Sequence, residues 1–289
     1  MFFQGYNEGV PFLQTLLLTI VRAAAILAVI MIAGIYFWNK YQYKDYYVFE
    51  NPNCNIAVIP IESGITTVPD DTYFTVAADR VLADIRWAEK DPMIEGILVR
   101  IDSPGGYIVS SEVITDALRR AQKPVAALIR DYGTSGAYLV ATGADTIIAS
   151  PNSTVGSIGI TQSYVETVAK TKKDGGQFIE LVSAPFKEIM NPDRLLSDDE
   201  KKMVLNDLTA AHKDFVAQIA RNRSLQVSQI ETLADGRTFL GRRALDLKLI
   251  DALGDQETAR AWFKERATNE PDFCEPPPPA PLPAPQPSA

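Results

Sequence analysis

Two glycine-containing loops carry the residue types needed for nucleophilic attack on a carbonyl group. Residues 102–106 read Asp-Ser-Pro-Gly-Gly, and residues 133–137 read Gly-Thr-Ser-Gly-Ala. Ser135 is flanked by small residues where a helix is predicted to begin, so its hydroxyl can be exposed as a nucleophile. The backbone N–H groups of Gly106 and Gly136 can stabilise an oxyanion, because glycine lets the backbone approach a carbonyl closely. The pattern therefore predicts a serine nucleophile beside an oxyanion hole.

Lys187 is the candidate general base for this serine. A lysine amine is a base near neutral pH only when burial lowers its pKa by about 3 units, at a cost of roughly 4 kcal/mol. Apolar neighbours are expected to supply these dry surroundings, namely Pro185, Phe186, Ile189 and Met190. Taken alone, each glycine loop is typical of an ordinary turn or helix cap. Their joint occurrence with Lys187 favours the catalytic interpretation.

Residues that commonly hold metals or form histidine-based triads are scarce in this chain. His212 is the only histidine, and we interpret it as structural because it lies within a predicted helix without an acidic partner at triad-like spacing. The two cysteines, Cys54 and Cys274, form no CxxC motif, and the sequence leaves open whether they pair. We expect no metal site and no organic cofactor.

Length and composition indicate one sizeable domain with appendages. The chain has 289 residues, of which 46% are hydrophobic, enough for an α/β core of ordinary size. It carries 28 Lys and Arg against 36 Asp and Glu, a formal net charge of −8. An acidic chain without a basic patch argues against a nucleic-acid partner, whose phosphates require positive charge.

Apolar runs predict the strands that position both loops. Strands are predicted over residues 55–62, 94–101 and 124–130, and the two glycine loops follow the second and the third of these. The alternation of strands with helical patterns is typical of an α/β fold, whose sites lie at the carboxyl ends of the strands. Both loops are therefore expected at the same edge of the sheet.

Weaker patterns complete the predicted order of elements. Ser110 or Ser111 is expected to cap the helix after the first loop, and residues 197–200 match a capping box that begins a long helix. Further helices are predicted over residues 74–90 and 164–173, and short strands over 145–150, 157–161 and 177–182.

The two ends of the chain differ from the central part. Residues 1–48 contain an apolar stretch over 16–38, predicted to be an uncleaved transmembrane helix because it is long for a signal peptide and no small-residue cleavage motif follows. The charges flanking this stretch do not fix its orientation. Residues 269–289 are Pro-rich and predicted to be disordered. The catalytic domain is therefore expected over residues 49–268.

The motifs together resemble the signal peptide peptidase A (protease IV) family over residues 55–253. The resemblance rests on residues 102–106, 135–138, 154–159 and 187–192. One departure is visible, because the family commonly has Gly and Tyr where this chain has Ala137 and Leu139. That departure concerns the substrate groove and leaves the serine in place.

The resemblance implies a Clp-protease/crotonase-like fold and a membrane-bound peptidase with Ser135 as nucleophile and Lys187 as base. It suggests Ser157 as a residue that orients the lysine amine, the alternative being an ordinary turn serine. Implied substrates are peptides such as cleaved signal peptides. The family also suggests a bacterial inner-membrane location with the catalytic domain on the periplasmic side. A ring-like homo-oligomer, an octamer, is implied, in which one subunit's lysine completes its neighbour's site.

Three other functions remain open at this point. The chain could process one specific membrane-protein partner instead of clearing signal peptides. It could be a crotonase-like acyl-CoA enzyme, although those normally use carboxylates. It could also be a non-catalytic membrane scaffold that keeps the fold.

Overall fold

The computed structural model describes residues 9–42, 53–68 and 75–275, and it divides them between two units. One unit contains the N-terminal helix α1 (Gly9–Gln42), and the other is a compact domain from Asn53 to Glu275. The Pro-rich tail was predicted over residues 269–289, and its part from residue 276 onward lies outside the described residues.

Helix α1 contains one stretch long and apolar enough to cross a membrane. Leu16–Ile35 spans 20 residues with a mean hydropathy of 2.6, and none of it is buried against other parts of the chain. Twenty helical residues rise about 30 Å, which matches the hydrocarbon thickness of a bilayer. This stretch falls inside the predicted apolar segment, 16–38.

The compact domain alternates strands with helices along the chain. Its strands are β1 (Ile56–Glu62), β2 (Gly64–Thr66), β3 (Thr75–Ala77), β4 (Gly96–Ser103), β5 (Val125–Thr134), β6 (Thr146–Ala149), β7 (Thr154–Gly156), β8 (Thr238–Leu240), β9 (Ala252–Leu253) and β10 (Phe273–Cys274). Its helices are α2 (Ala78–Lys90), α3 (Ile108–Arg119), α4 (Gly136–Ala141), α5 (Val168–Lys173), α6 (Asp198–Asn222), α7 (Val227–Glu231), α8 (Gly241–Asp246) and α9 (Gln256–Lys264).

A mostly parallel sheet forms the centre of this domain. Its strand order is β10-β1-β4-β5-β6-β9; β7 extends β5 in parallel and pairs with β8 in antiparallel fashion. Strands β2 and β3 form a separate parallel pair. The central strands are continuous apolar runs because helices cover both faces of a parallel sheet; Ile97, Leu98 and Val99 are fully buried. The three predicted core strands are confirmed by β1, β4 and β5.

Several predicted elements differ from those observed. Residues 177–182 form no strand, because a strand needs a hydrogen-bonding partner and none is present among the described residues; Ile179 is 71% exposed and Leu181 is 92% exposed. The predicted strand at 157–161 is also absent, since β7 ends at Gly156. Helix α3 already begins at Ile108, which places the predicted caps Ser110 and Ser111 inside its first turn, both buried.

Helix α6 begins at the predicted capping box. The Ser197 side chain accepts the Glu200 N–H, and the Glu200 carboxylate accepts the Ser197 N–H in return. This reciprocal pair satisfies two of the donors that a helix N-terminus leaves without partners. The capping prediction is therefore confirmed.

The domain extends further toward the C-terminus than the predicted boundary at residue 268. Strand β10 pairs with the beginning of β1, and a disulfide joins Cys54 to Cys274, whose Cα atoms are 5.1 Å apart. Phe273 packs in the core with its ring centroid 6.4 Å from that of Phe263. Residues 269–275 therefore belong to the folded domain, because an aromatic anchor and a disulfide hold them there.

Candidate active site

Ser135 lies at a tight turn between a buried strand and a helix. Strand β5 ends at Thr134 and helix α4 begins at Gly136, and the turn gives Ser135 a φ of 53° and a ψ of −126°. A non-glycine residue in such a conformation costs about 1–3 kcal/mol and is typical of functional sites. The Ser135 N–H donates to the Gly156 carbonyl at 2.7 Å, which holds the strained turn in place. The side chain itself is half-buried.

The loop at residues 102–106 contacts this turn directly. Strand β4 leads into the loop, and Ser103 pairs with Gly133 across the β4–β5 ladder. A Cβ placed on Gly105 would lie 2.9 Å from the Ser135 Cβ and 2.8 Å from the Gly136 nitrogen. The predicted meeting of the two loops at the carboxyl ends of neighbouring strands is therefore observed.

Two backbone N–H groups converge beside Ser135. The Gly106 nitrogen is 3.4 Å from the position that a Cβ on Gly136 would take. Gly136 is the first residue of α4, so its N–H has no partner within the helix. Within the described parts of the chain, neither of these N–H groups meets an acceptor. Both are available to a substrate oxygen, and the positive end of the α4 dipole adds to their effect.

The close approach of Gly106 to strand β2 requires glycine. The Ile65 N–H donates to the Gly105 carbonyl at 2.8 Å, and the Tyr107 N–H donates to the Ile65 carbonyl at 2.9 Å. A Cβ on Gly106 would lie 2.1 Å from the Ile65 carbonyl oxygen, closer than any real contact. Gly105 has a φ of 103°, a conformation that glycine adopts without strain.

Lys187 differs most from its expected surroundings. It lies in a turn after residue 182, and its side chain is exposed. Phe186, one of the apolar residues expected to bury it, is itself 45% exposed. Among the described residues, no hydrogen bond or ion pair joins the Lys187 amine to Ser135 or to any other group. The expectation that the chain's own apolar residues would bury this amine is wrong for the single chain.

Polar contacts fasten the segment that carries Lys187 to two helices. The Asp193 carboxylate accepts hydrogen bonds from Thr167 and Thr171, beside and within α5. Arg194 binds the buried carboxylate of Glu200 in the first turn of α6. Hydrogen bonding from Arg194, above all, lowers the pKa of Glu200 to about 2. The exposed lysine is therefore held on an ordered scaffold.

Ser157 lies next to the Ser135 turn. It follows Gly156, whose carbonyl accepts the Ser135 N–H, and its own N–H donates to the Arg237 carbonyl at 2.9 Å. Its φ of 50° makes it another non-glycine residue with left-handed backbone. In the described residues its hydroxyl has no hydrogen-bond partner. It therefore makes no hydrogen bond to the Lys187 amine in the single chain.

Two further residues of the sequence motifs, Asp102 and Tyr138, make structural hydrogen bonds. Asp102 accepts the Tyr132 N–H at 3.1 Å and braces the loop. Tyr138, fully buried, donates its hydroxyl to the Leu249 carbonyl at 2.8 Å, and burial raises the pKa of its phenol. His212 is partly buried within α6.

Two buried serines lie at the site, and sequence reasoning gave Ser103 no role there and Ser111 only that of a possible helix cap. The Ser103 hydroxyl accepts the Gly105 N–H at 3.1 Å and donates to the Ser63 carbonyl. The Ser111 hydroxyl donates to the Tyr107 carbonyl and lies 2.3 Å from the position of a Cβ on Gly136. The available signal was a polar side chain at a buried position, Ser103 at the end of an apolar strand and Ser111 on the inner face of a helix.

Metal ligands do not cluster in the described ranges. No group of three or more His, Cys, Asp or Glu side chains there could hold an ion. The side chain at the centre of the candidate site is Ser135, beside the backbone N–H groups of Gly106 and Gly136.

Comparison with known proteins identifies two matching family models. The model described as Peptidase family S49 matches residues 117–270, and the model described as ClpP-like SDH-type serine proteinase matches residues 59–174. The resemblance to signal peptide peptidase A and the predicted Clp-protease-like fold are thereby confirmed.

Curated relatives carry protease names. A Synechocystis protein named as a protease is 35% identical over 181 residues, which cover 62% of this chain and 65% of the relative. An Enterococcus faecium protein named as signal peptide peptidase SppA is 29% identical over 62% of this chain and 53% of its own length. Protease 4 of Salmonella typhi is 31% identical over 79% of this chain and 38% of its own. The matches thus span less than two thirds of these relatives.

Proposed function

Since this chain belongs to peptidase family S49 and is a serine peptidase, we propose that it is a membrane-anchored endopeptidase that uses Ser135 and Lys187 as a dyad. One observation carries the proposal. The strained turn places the half-buried Ser135 beside two backbone donors, Gly106 and Gly136, that have no other acceptor in the described residues. Such a combination suits acyl transfer, because the donors stabilise charge that develops only during the reaction.

In the proposed reaction, the Ser135 oxygen attacks the peptide carbonyl carbon while the Lys187 amine takes the hydroxyl proton. The carbonyl oxygen becomes an oxyanion bound by the Gly106 and Gly136 N–H groups. The intermediate collapses when the lysine returns the proton to the leaving amine, which leaves an acyl-enzyme. Water then attacks the ester with the same lysine as base, and Ser135 is released. Ser157 orients the lysine amine during these transfers.

We propose that the base comes from a second copy of the chain. A lysine accepts a proton near neutral pH only when its amine is desolvated, and the Lys187 side chain is exposed in the single chain. Residues 165–182, which precede Lys187 in the chain, also expose large apolar side chains; Val165 is 79% exposed and Leu181 is 92% exposed. A neighbouring subunit packed on this segment would bury both the residues and the lysine. We therefore propose a ring-like homo-oligomer, expected to have eight copies, in which Lys187 reaches the neighbour's Ser135.

The apolar helix and the disulfide support a proposal for the substrate class and the location of the enzyme. Stretch Leu16–Ile35 fixes the enzyme in the membrane, where cleaved signal peptides accumulate, and a relative's name refers to such peptides. The Cys54–Cys274 disulfide supports a catalytic domain on the oxidising, extracytoplasmic side of the membrane, since disulfides rarely persist in a reducing cytosol. The bacterial inner membrane with a periplasmic domain fits these features.

Labelling and peptidase assays test the dyad. Ser135→Ala is expected to abolish both fluorophosphonate labelling and peptide cleavage without loss of folding. Lys187→Ala is expected to abolish cleavage, whereas Lys173→Ala, another exposed lysine close by in the chain, is expected to leave it unchanged. EDTA should have no effect. Substantial cleavage by purified Lys187→Ala enzyme would contradict the assignment of the base.

Mixed assemblies test whether the dyad is shared. When Ser135→Ala and Lys187→Ala subunits co-assemble in equal amounts, about one quarter of the sites should combine an intact serine with an intact lysine. If both residues came from the same subunit, every mixed assembly would stay inactive. The measurement is the peptidase activity of differently tagged subunits purified through both tags. Native mass spectrometry counts the subunits in the same sample.

A further inference from the structure

We propose that Ser103 is a positioning residue that fixes the direction of the Gly106 N–H in the oxyanion hole. The inference rests on the proposed function, in which this N–H binds the oxyanion. Ser103 is fully buried at the end of β4, so its hydroxyl has no water to bind. It accepts the Gly105 N–H at 3.1 Å and donates to the Ser63 carbonyl. One hydroxyl therefore links the loop at residues 102–106, which we call the oxyanion loop, to the residue that connects β1 with β2.

Ser103 holds the peptide between Pro104 and Gly105, and strand β2 holds the next peptide, between Gly105 and Gly106. The Ile65 N–H donates to the Gly105 carbonyl at 2.8 Å. In a planar trans peptide the carbonyl and the following N–H point in opposite directions. With the carbonyl directed at the Ile65 N–H, the Gly106 N–H is directed away from that group, and the Gly106 nitrogen lies 3.4 Å from the position of a Cβ on Gly136. The orientation of the donor is thus set by what holds Gly105.

Gly105 needs such support because glycine has little intrinsic preference for one backbone conformation. Its φ is 103°, and glycine occupies both signs of φ with similar ease. A rotation of the Gly105–Gly106 peptide would replace the donor in the oxyanion hole by a carbonyl oxygen. Ser103 restrains the N–H of Gly105, and Ile65 restrains its carbonyl. Loss of the Ser103 hydroxyl removes the first restraint and also removes one hydrogen bond to the Ser63 carbonyl, where the chain turns into β2.

The test compares Ser103→Ala with a matched serine elsewhere in the domain. Ser153 is 2% exposed, accepts the Ser150 N–H at 2.9 Å and donates to the Arg130 carbonyl, so Ser153→Ala removes the same kinds of hydrogen bond away from the oxyanion loop. In the full-length, detergent-solubilised enzyme, Ser103→Ala is expected to lower kcat about 10- to 100-fold with KM within about twofold. Ser153→Ala should keep kcat within about twofold, even if its stability falls equally.

A peptide boronic acid supplies a readout that a merely structural role would not move. It forms a tetrahedral adduct on the nucleophilic serine, so its affinity should fall with kcat in Ser103→Ala and stay unchanged in Ser153→Ala. Equal kcat and equal boronate affinity in the two variants would overturn the positioning role. If Ser103→Ala does not fold, Ser103→Cys is compared with Ser153→Cys by the same criteria, with an intermediate loss expected because a thiol is a weaker donor.

A parallel Ser135→Ala measurement distinguishes failure of the proposed function from failure of the positioning role of Ser103. If Ser135→Ala keeps its activity, the proposed function fails. If Ser135→Ala is inactive while Ser103→Ala behaves like Ser153→Ala, only the positioning role fails.

Discussion

Replacing Gly106 with alanine tests whether the close approach of the oxyanion loop to strand β2 is needed for catalysis. The new Cβ would lie 2.1 Å from the Ile65 carbonyl oxygen and 2.5 Å from the Ile65 nitrogen. Both atoms belong to the backbone of a strand, so no side chain can rotate away to make room. Because the φ of Gly106 is not in the left-handed region, the effect is one of space alone.

The size of the effect follows from the movement required. An ordinary contact needs a separation of well over 3 Å, so the Gly106 backbone must move by about 1 Å away from Ile65. A displacement of about 1 Å at a catalytic group costs about 100-fold in rate. Complete loss of one oxyanion donor costs about 100- to 1,000-fold in kcat, or roughly 3–4 kcal/mol. We expect a fall in kcat between these values.

The assay is kcat on a fluorogenic peptide, with denaturant unfolding measured on the same preparation. Gly64→Ala is the matched control in strand β2, because its Cβ would meet the Gly105 carbonyl oxygen at 3.9 Å and the Thr75 side chain at 4.0 Å, both ordinary contacts. It should keep kcat within about twofold. A folded Gly106→Ala enzyme that retained kcat within about threefold would refute the assignment of this donor to the oxyanion hole.

Three further predictions concern stability and the chain ends. Burial raises the pKa of Asp84 from 3.8 to about 7, so the folded domain loses stability as pH rises from about 4 to about 7. Asp84→Asn should therefore stabilise the domain by about 2 kcal/mol at about pH 8 and by little at about pH 4, as measured by urea unfolding. The expected gain at high pH is below the full pKa shift because the Arg80 side chain, 2.8 Å from the carboxylate, offsets part of the cost of burial. Reducing the Cys54–Cys274 disulfide should lower the free energy of unfolding by up to about 5 kcal/mol, because the unfolded chain regains conformational entropy. An unfolding midpoint that is unchanged after reduction would contradict this. Deleting residues 276–289 should leave peptide turnover within about twofold, because β10 and the disulfide already secure the end of the domain; a collapse of expression would argue otherwise.

The central strands could be predicted because a parallel sheet covered on both faces needs continuous apolar runs, and β1, β4 and β5 are such runs. Strands β9 and β10 have two residues each, too few for a periodic pattern, and they are strands only because they pair with β6 and β1. The opposite error occurred at residues 177–182, where a strand-like pattern has no partner in the described chain.

The candidate site was likewise predicted only in part from the sequence. The meeting of Ser135, Gly106 and Gly136 followed from the rule that carboxyl ends of parallel strands share one edge of the sheet. Ser103 was missed because its role depends on the Ser63 carbonyl, which is brought to it by the β1–β4 pairing and not by local sequence. The surroundings of Lys187 were mispredicted because local apolar residues do not bury a side chain unless another surface covers them.

The disulfide also has a mechanical consequence. The chain enters the folded domain just before Cys54 and leaves it just after Cys274, so both connections begin at two Cα atoms only 5.1 Å apart. A force applied between the two ends of the chain would pass from one connection to the other through the sulfur–sulfur bond. The 220 residues of sequence separation between the cysteines would carry none of that load. Pulling on the two ends of the chain would therefore leave the Ser135 turn and the loop at residues 102–106 undisturbed.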